Sequence, residues 1–424
     1  MSAPTPPHVA IVGSGPSGCY LAQTLLRALP GTQVTIVDRL PSPYGLVRYG
    51  VAADHQHTKA ITRQFERLFE SPDVRFAGNL TVGRDLTLDE LRAAFDVVVL
   101  ATGLAADREL DIPGGALPGV HGAGAITRIL NSHPDDPTEL PELGSDVVVI
   151  GAGNVALDIL RFLVKDETGY AASDVADSAL ASYLANPAQR VTVVSRSSAA
   201  AAKGDPQMLK ELATLERARY RTPDPLRDPS AELDRTQQAR VAAYEELVSA
   251  DRAAHAGPEV ELRFGLTPAR IIGDERVEAV EFTGPDGPVV VPATAVITAI
   301  GFTAREAGSL AEFVATPSPS GAVAPGLYRT GWAKRGPSGA IPENRACAKS
   351  VADEIVADIT SGALPVSPDT LGFNGLPAEV RDRAIGYQQW QVLDLHEREH
   401  AAPGRVRQKV ADHDRMVAIA RGAR

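Results

Sequence analysis

The residues best placed for chemistry are two glycine-rich turns, each caught between a short apolar run and a helix-forming stretch. The first is Gly13-Ser14-Gly15-Pro16-Ser17-Gly18, a full GxGxxG between the apolar run 8–12 and the helical pattern of 19–29. The three glycines have separate roles. Gly13 allows a tight turn, Gly15 lets the backbone approach a pyrophosphate, and Gly18 lets helix and strand pack closely. The helix N-terminus then offers unpaired N–H groups and a positive dipole end to the phosphates. A second apolar run, 33–37, ends at Asp38, whose carboxylate can accept hydrogen bonds from an adenosine ribose.

The pattern recurs. The apolar run 146–150 leads into Gly151-Ala152-Gly153-Asn154-Val155-Ala156, a GxGxxA, and on into helix 157–164. The next strand, 190–194, follows a polar Ala- and Asp-rich stretch, 166–188, that reads as helical. It ends not in an acid but in Ser195-Arg196-Ser197-Ser198. A carboxylate at that point would repel a 2′-phosphate, whereas an arginine pairs with one. The first turn should therefore take a dinucleotide with a free adenosine ribose, and the second should take NADP. Two such sites on one chain point to FAD plus a nicotinamide, an arrangement for hydride transfer to flavin. Two more apolar strands, 96–103 and 295–302, end in small-residue turns (Ala101-Thr102-Gly103 and Ala299-Ile300-Gly301) and fit the same scheme without carrying it.

The elements that must position these turns are those of an α/β protein. With 424 residues, 44% hydrophobic and 22% charged, the chain has material for two or three cores. Its apolar runs are far shorter than a membrane span needs. The N-terminus carries no basic region ahead of the first strand, so the expectation is a cytoplasmic protein without membrane attachment. Cys19 and Cys347 are too few and too far apart for a disulfide framework, a CxxC pair or a thiolate metal site. A net charge of −11 argues against nucleic acid as a partner. Breaks in texture at the Pro-rich, acidic 131–145, at the polar 222–240 (read as a surface insertion) and at 325–332 divide the chain. The reading is two doubly wound Rossmann-like domains, the NADP domain inserted into the FAD domain. Residues 1–107 form the first FAD part, 108–324 the NADP domain, and 325–424 the second FAD part with a C-terminal cap.

Four stretches resemble a known family, the adrenodoxin reductase-like ferredoxin–NADP reductases. The most specific is Pro41-Ser42-Pro43-Tyr44-Gly45-Leu46-Val47-Arg48-Tyr49-Gly50-Val51-Ala52-Ala53-Asp54-His55-Gln56-His57-Thr58-Lys59, close to the family run PxPxGLVRxGVAxDHxxxK. The others are residues 79–86, residues 151–158, and Thr330-Gly331-Trp332 continuing to Asn344, where related disulfide reductases usually show Gly-Asp instead of Gly-Trp. The tail Gly404-Arg405-Val406-Arg407-Gln408-Lys409 also matches. The resemblance spans nearly the whole chain and is weakest between about 165 and 290. It implies FAD contacts at Ser14, Asp38, Leu46, Val82, Trp332 and the turn Gly339-Ala340-Ile341. It places Asn154 and Val155 near the NADP pyrophosphate, Arg196 on the 2′-phosphate, and Glu211 and Arg108 as further NADP contacts. His55 and Asp158 match two residues near the flavin linked to catalysis. The second arginine of the family's pair is Ser197 here, and Ala199–Ala202 replaces a more varied stretch, so NADPH should be preferred over NADH less strongly than in relatives with both arginines.

Blander readings stand beside these. Asp158 also suits the helix dipole, His55 alone would read as an ordinary histidine, and Trp332 as core packing. Cys19 and Cys347 read as small buried side chains. Arg48, Lys59, Arg63, Arg67, Lys334 and Arg335 are candidates for a face that docks an acidic ferredoxin, or for ordinary solvated surface. The expected activity passes hydride from NADPH to FAD and then single electrons to a ferredoxin-type iron–sulfur protein, from a monomer without a metal site of its own. The alternatives are an FAD-dependent oxidase or monooxygenase of specialised metabolism, and a non-enzymatic flavin- or NAD-bound sensor. A disulfide reductase lacks its dithiol here, and a glutamate-synthase-type subunit its cluster cysteines.

Overall fold

The computed structural model describes residues 5–250, 255–304, 310–314, 317–339 and 341–422. Its contacts divide the chain into two compact units: Met1–Ala106 with Phe302–Arg424, and Asp107–Gly301. The second crossing thus comes at Phe302, earlier than the change of texture at 325, and the strand Ala322–Ala324 already lies inside the first unit's sheet.

That sheet has six strands in the order Ala322–Ala324, Leu327–Arg329, Val97–Leu100, His8–Val12, Gln33–Val37, Val74–Ala77. Every pair is parallel except the first. The β-branched runs explain this: all four residues of Val97–Leu100 are buried, as a strand covered on both faces requires. Helix Pro16–Ala28 starts with proline at its first position, where the missing N–H costs nothing. It packs against helix Ile341–Thr360 over a core that includes Ile11, Leu21, Leu25 and Ile36. The C-terminal helices Tyr387–Glu399 and His413–Ala420 close the same core with Trp390, Leu393, Met416 and Ile419.

The second unit holds a six-stranded, wholly parallel sheet in the order Val120–Gly122, Ala295–Thr298, Asp146–Ile150, Arg190–Ser195, Glu259–Phe264, Arg219–Arg221. A separate antiparallel sheet, Thr267–Ile272, Ala279–Gly284 and Gly287–Pro292, stands beside it in sequence. Helix Asn154–Val164 is apolar almost all round and correspondingly buried. Two local expectations change. In 166–188 helix is confined to Glu167–Tyr170, a 3₁₀ turn, and Asp177–Ala185. The polar insertion at 222–240 is irregular only at first: Asp234 accepts from Gln237 N in a capping box and starts helix Arg235–Ser249, which buries Val241, Tyr244 and Leu247. Among the described residues no helix is long and apolar enough to cross a membrane, and no cluster of side chains is set to hold a metal ion.

Candidate functional site

The first glycine turn is built as a phosphate cradle. Gly13 has φ +113°, and a Cβ there would lie 2.4 Å from the Ala101 carbonyl oxygen, so only glycine fits. A Cβ on Gly18 would lie 2.1 Å from the Gly13 carbonyl oxygen, the close helix–strand approach expected. At Gly15, by contrast, a Cβ would meet nothing within 4 Å. That open space in front of a helix N-terminus is where a pyrophosphate would lie.

Asp38 is held as well as placed. Its Oδ2 accepts from Ser14 N at 2.9 Å and from the Ser14 hydroxyl, and its Oδ1 accepts from Leu40 N at 3.0 Å. A carboxylate offers about four lone-pair directions, so one stays open for a ribose hydroxyl. Ser14 is the orienting partner that brings the turn and the acid together. Cys19, on the first turn of the helix, donates to Ser14 O, and burial, helped by the Asp38 charge, pushes its thiol pKa far up. It is an inert packing group.

Of the remaining flavin candidates in this unit, the segment ahead of Leu46 and the Gly-Trp turn are brought against the glycine turn and its helix. Tyr44 takes an uncommon positive φ of 85° and donates its N–H to Ser14 O, while Gly45 lies against Gly15, its Cβ position 3.1 Å from Gly15 Cα. This strained corner delivers Leu46, 39% exposed, at the start of the short helix Leu46–Tyr49. Val82 bridges to Leu86 in a turn pinned by Asp85, which accepts from Thr81 N. Gly331 has φ +67°, and a Cβ there would strike the Ser17 hydroxyl at 2.1 Å, so the Gly-Trp turn sits against the start of helix Pro16–Ala28. Trp332 stacks on Phe302 with centroids 5.4 Å apart, and its indole Nε1 is buried with no hydrogen-bond partner among the described residues. A buried donor left in this way fits a ligand acceptor. Gly339 (φ +79°) precedes helix Ile341–Thr360, Ile341 being its first residue; Ala340 lies outside the described residues. His55, half-buried, lies within the signature segment as the N-terminal flank of helix Gln56–Lys59.

The second unit repeats the construction. Gly151 has φ +124°, and its Cβ would lie 2.4 Å from the Ala299 carbonyl oxygen, the same relation that Gly13 bears to Ala101. The two strand-end turns that the sequence left without a role are therefore the walls against which the two glycine turns close. Gly153 flanks helix Asn154–Val164 and is again open, with Lys203 Cβ at 3.9 Å its nearest neighbour. The Asn154 Oδ1 accepts from Asp205 N at 2.8 Å, and Val155 follows in the first turn. Arg196 is exposed just past strand Arg190–Ser195, and among the described residues no ion pair engages it. Ser197 N donates to the Ser195 hydroxyl, so that residue is tied into its own turn. Asp158 accepts from Arg161 Nη1 at 3.4 Å, and Arg161 Nε stands 3.9 Å from Glu211, so one buried guanidinium links two of the predicted acids. Arg108 is exposed, its N–H bonded to Gly301 O at 2.9 Å.

The structure corrects the basic face. Arg48, Lys59 and Lys334 are buried, at 5%, 7% and 6% exposure. Arg48 Nη2 reaches both oxygens of the fully buried Glu397, at 2.6 and 2.7 Å, and its guanidinium lies between the rings of Tyr49 and Trp390. Lys334 pairs with Glu354 at 3.6 Å, and Arg335 bonds Asn344 and Ser338 O. Only Arg63 and Arg67, on the outer side of helix Thr62–Phe69, remain exposed as expected. The tail motif is tied to the same acid, Glu397, although Lys409 alone of its six residues is buried. Arg407 bonds Asp394 and approaches Glu397, and Gln408 N donates to Glu397 O.

Two doubly wound units, each with its own glycine cradle, one hydrogen-bonded to an acid and the other followed by an arginine at the end of the next strand, define a flavoprotein that also binds a nicotinamide dinucleotide. Residues 7–218 match the family described as pyridine nucleotide-disulphide oxidoreductase. The chain is 40% identical to cindoxin reductase of Citrobacter braakii over 98% of its own length and 91% of that protein. It is 33% identical to the mitochondrial NADPH:adrenodoxin oxidoreductase of Arabidopsis thaliana, covering 93% and 91%. The structure of Mycobacterium tuberculosis FprA in complex with NADPH superposes with a TM-score of 0.89 at 31% identity, covering 99% of this chain and all of that one. The chain belongs to the pyridine nucleotide-disulphide oxidoreductases, in their adrenodoxin reductase-like ferredoxin–NADP reductase branch.

Proposed function

We propose that the protein is a ferredoxin–NADP(+) reductase that takes hydride from NADPH and delivers single electrons to a ferredoxin-type iron–sulfur protein. One observation carries the reading: two complete strand–glycine turn–helix cradles occur in a single chain, the first paired with Asp38 and the second followed by Arg196. The residues fit both cofactors, because the openings at Gly15 and Gly153 admit a pyrophosphate and the buried Trp332 Nε1 is a donor in want of an acceptor. FAD, when bound, supplies the conversion from a two-electron donor to a one-electron acceptor.

The chain's own residues hold and orient. Gly13, Gly15 and Gly18 bring the backbone and the helix N-terminus up to the FAD pyrophosphate, and Ser14 locks Asp38 for the adenosine ribose. Leu46, Val82, Trp332 and the Gly339–Ile341 turn form the remaining flavin contacts. Gly151, Gly153, Asn154 and Val155 take the NADP pyrophosphate, Arg196 and Ser197 the 2′-phosphate, and Glu211 and Arg108 flank the nucleotide. His55, poised by type to exchange a proton near neutral pH, handles the proton that accompanies flavin turnover, and Asp158, held by Arg161, orients the nicotinamide end. The unit Met1–Ala106 with Phe302–Arg424 serves as the FAD domain and Asp107–Gly301 as the NADP domain, which moves the second junction of the sequence-based division from 325 to Phe302. The homologues named as ferredoxin and adrenodoxin reductases support an iron–sulfur partner; the monomeric state and a cytoplasmic location belong to the proposal.

The test is to release the flavin by heat, chromatograph it, and assay NADPH-dependent cytochrome reduction with a panel of ferredoxins. FAD, and a rate that requires ferredoxin, are the expected results. FMN, flavin that stays attached to protein, or oxidation of small organic substrates with no ferredoxin reduced would overturn the reading.

A further inference from the structure

Where the family carries a second arginine this chain has Ser197, and the loop that follows is held in place. It is clamped from two sides. Arg240, on helix Arg235–Ser249, donates from Nη1 to Ala200 O at 2.6 Å and from Nε to Gly204 O at 2.8 Å. Asp205 N donates to Asn154 Oδ1 at 2.8 Å, which ties the end of the loop to the first residue of the helix behind the second glycine turn. Gly204 has no room for a side chain: a Cβ there would lie 2.9 Å from Leu157 Cδ1 and 3.1 Å from Ala152 O. The loop is therefore pressed directly onto the Gly151–Val155 turn.

The residue this clamp delivers is Lys203. Its Cβ stands 3.9 Å from where a Cβ on Gly153 would be, nearer than any other atom. Gly153 is the glycine whose missing side chain admits a pyrophosphate. Lys203 is exposed, and among the described residues neither a hydrogen bond nor an ion pair engages its ammonium. The acid closest in sequence is already committed, since the Asp205 carboxylate caps helix Pro206–Ala213 by accepting from Gln207 N at 2.7 Å. A flexible point charge on a four-carbon stem, rooted beside a phosphate cradle, is suited to a phosphate.

We propose that Lys203 binds the pyrophosphate of the nicotinamide dinucleotide, restoring a positive charge to the nucleotide site at a different phosphate from the one Arg196 grips. The inference rests on the proposed assignment of this turn to NADP. Arg196 leaves the end of a strand, where a 2′-phosphate is met, whereas Lys203 is anchored at the turn itself. The two cations therefore divide the ligand between them.

Calorimetric binding of NADP+, NAD+ and 2′-AMP to the flavin-loaded full chain separates the roles without any turnover. Lys203→Gln should weaken NADP+ and NAD+ by the same factor, roughly three- to tenfold for one exposed charge on a phosphate. Binding of 2′-AMP, which has no pyrophosphate, should not change, and Lys203→Arg should restore most of the lost affinity. Arg196→Ala should instead weaken NADP+ and 2′-AMP while sparing NAD+. Unchanged binding by Lys203→Gln, or a loss confined to the ligands with a 2′-phosphate, overturns the inference and leaves the NADP assignment standing. A wild-type protein that binds none of the three removes the assignment and the inference together.

Discussion

Replacing Glu397 by Gln should destabilise the flavin-binding unit far more than removing both members of its ion pair. Glu397 is completely buried, and besides the two contacts from Arg48 it accepts from Val410 N at 3.1 Å. Burial by itself would lower the pKa of Arg48, but the charge and hydrogen bonds of Glu397 more than offset this and raise it, so the guanidinium stays charged. The variant glutamine keeps the shape and leaves that charge without a counter-ion. Breaking a buried pair from one side costs about 3–5 kcal/mol, whereas replacing both partners by apolar residues is often neutral or stabilising. For a unit of this size each kcal/mol corresponds to roughly 2–4 °C in Tm, so the single variant should melt about 6–20 °C lower. Release of flavin fluorescence on heating reads this out, with Arg48→Met/Glu397→Leu as the comparison. If Glu397→Gln melts within about 2 °C of the parent, or the double variant is as unstable as the single one, the pair does not tie the signature segment to the C-terminal cap.

The other expectations concern the two partners of the flavin. Arg196→Ala should raise the KM for NADPH roughly ten- to hundredfold, the worth of one charge-assisted hydrogen bond, with NADH almost unaffected in steady-state assays. An equal loss with both nucleotides would make Arg196 structural. Reversing Arg63 and Arg67 to Glu should slow ferredoxin-dependent cytochrome reduction and flatten its salt dependence, because screened surface charges act mainly on association. Ferricyanide reduction, which needs no docked protein, should stay the same; a ferredoxin rate indifferent to both reversals would move the docking face elsewhere.

Both glycine turns, their flanking strands and helices, and the contrast of Asp38 with Arg196 could be read directly, because spacing along a strand–turn–helix is a local property. The basic face could not be read in the same way. Arg48 looks like a surface cation until the chain folds Glu397 back onto it, a pairing across 349 residues, and Lys59 is buried beside it, donating to the Arg48 carbonyl. Ala101 and Ala299 were hidden for the same reason: their role is a carbonyl pressed against Gly13 or Gly151, and a backbone atom leaves no residue type to read. Lys203 lay in the stretch where the family pattern is weakest. What places it is the grip of Arg240 and Asn154 on its loop, which composition does not reveal.

The central claim is that one chain binds NADPH at the second cradle, passes its hydride to a flavin held by the first, and releases single electrons from that flavin. Anaerobic stopped-flow mixing of the flavin-loaded protein with NADPH, followed by mixing with an oxidised ferredoxin, tests it most directly. Bleaching of the flavin band by NADPH, then its return as two equivalents of ferredoxin are reduced per flavin, is the predicted result. Failure of NADPH to bleach the flavin, or a reduced flavin that oxygen or a small organic acceptor reoxidises while no ferredoxin does, would contradict the account.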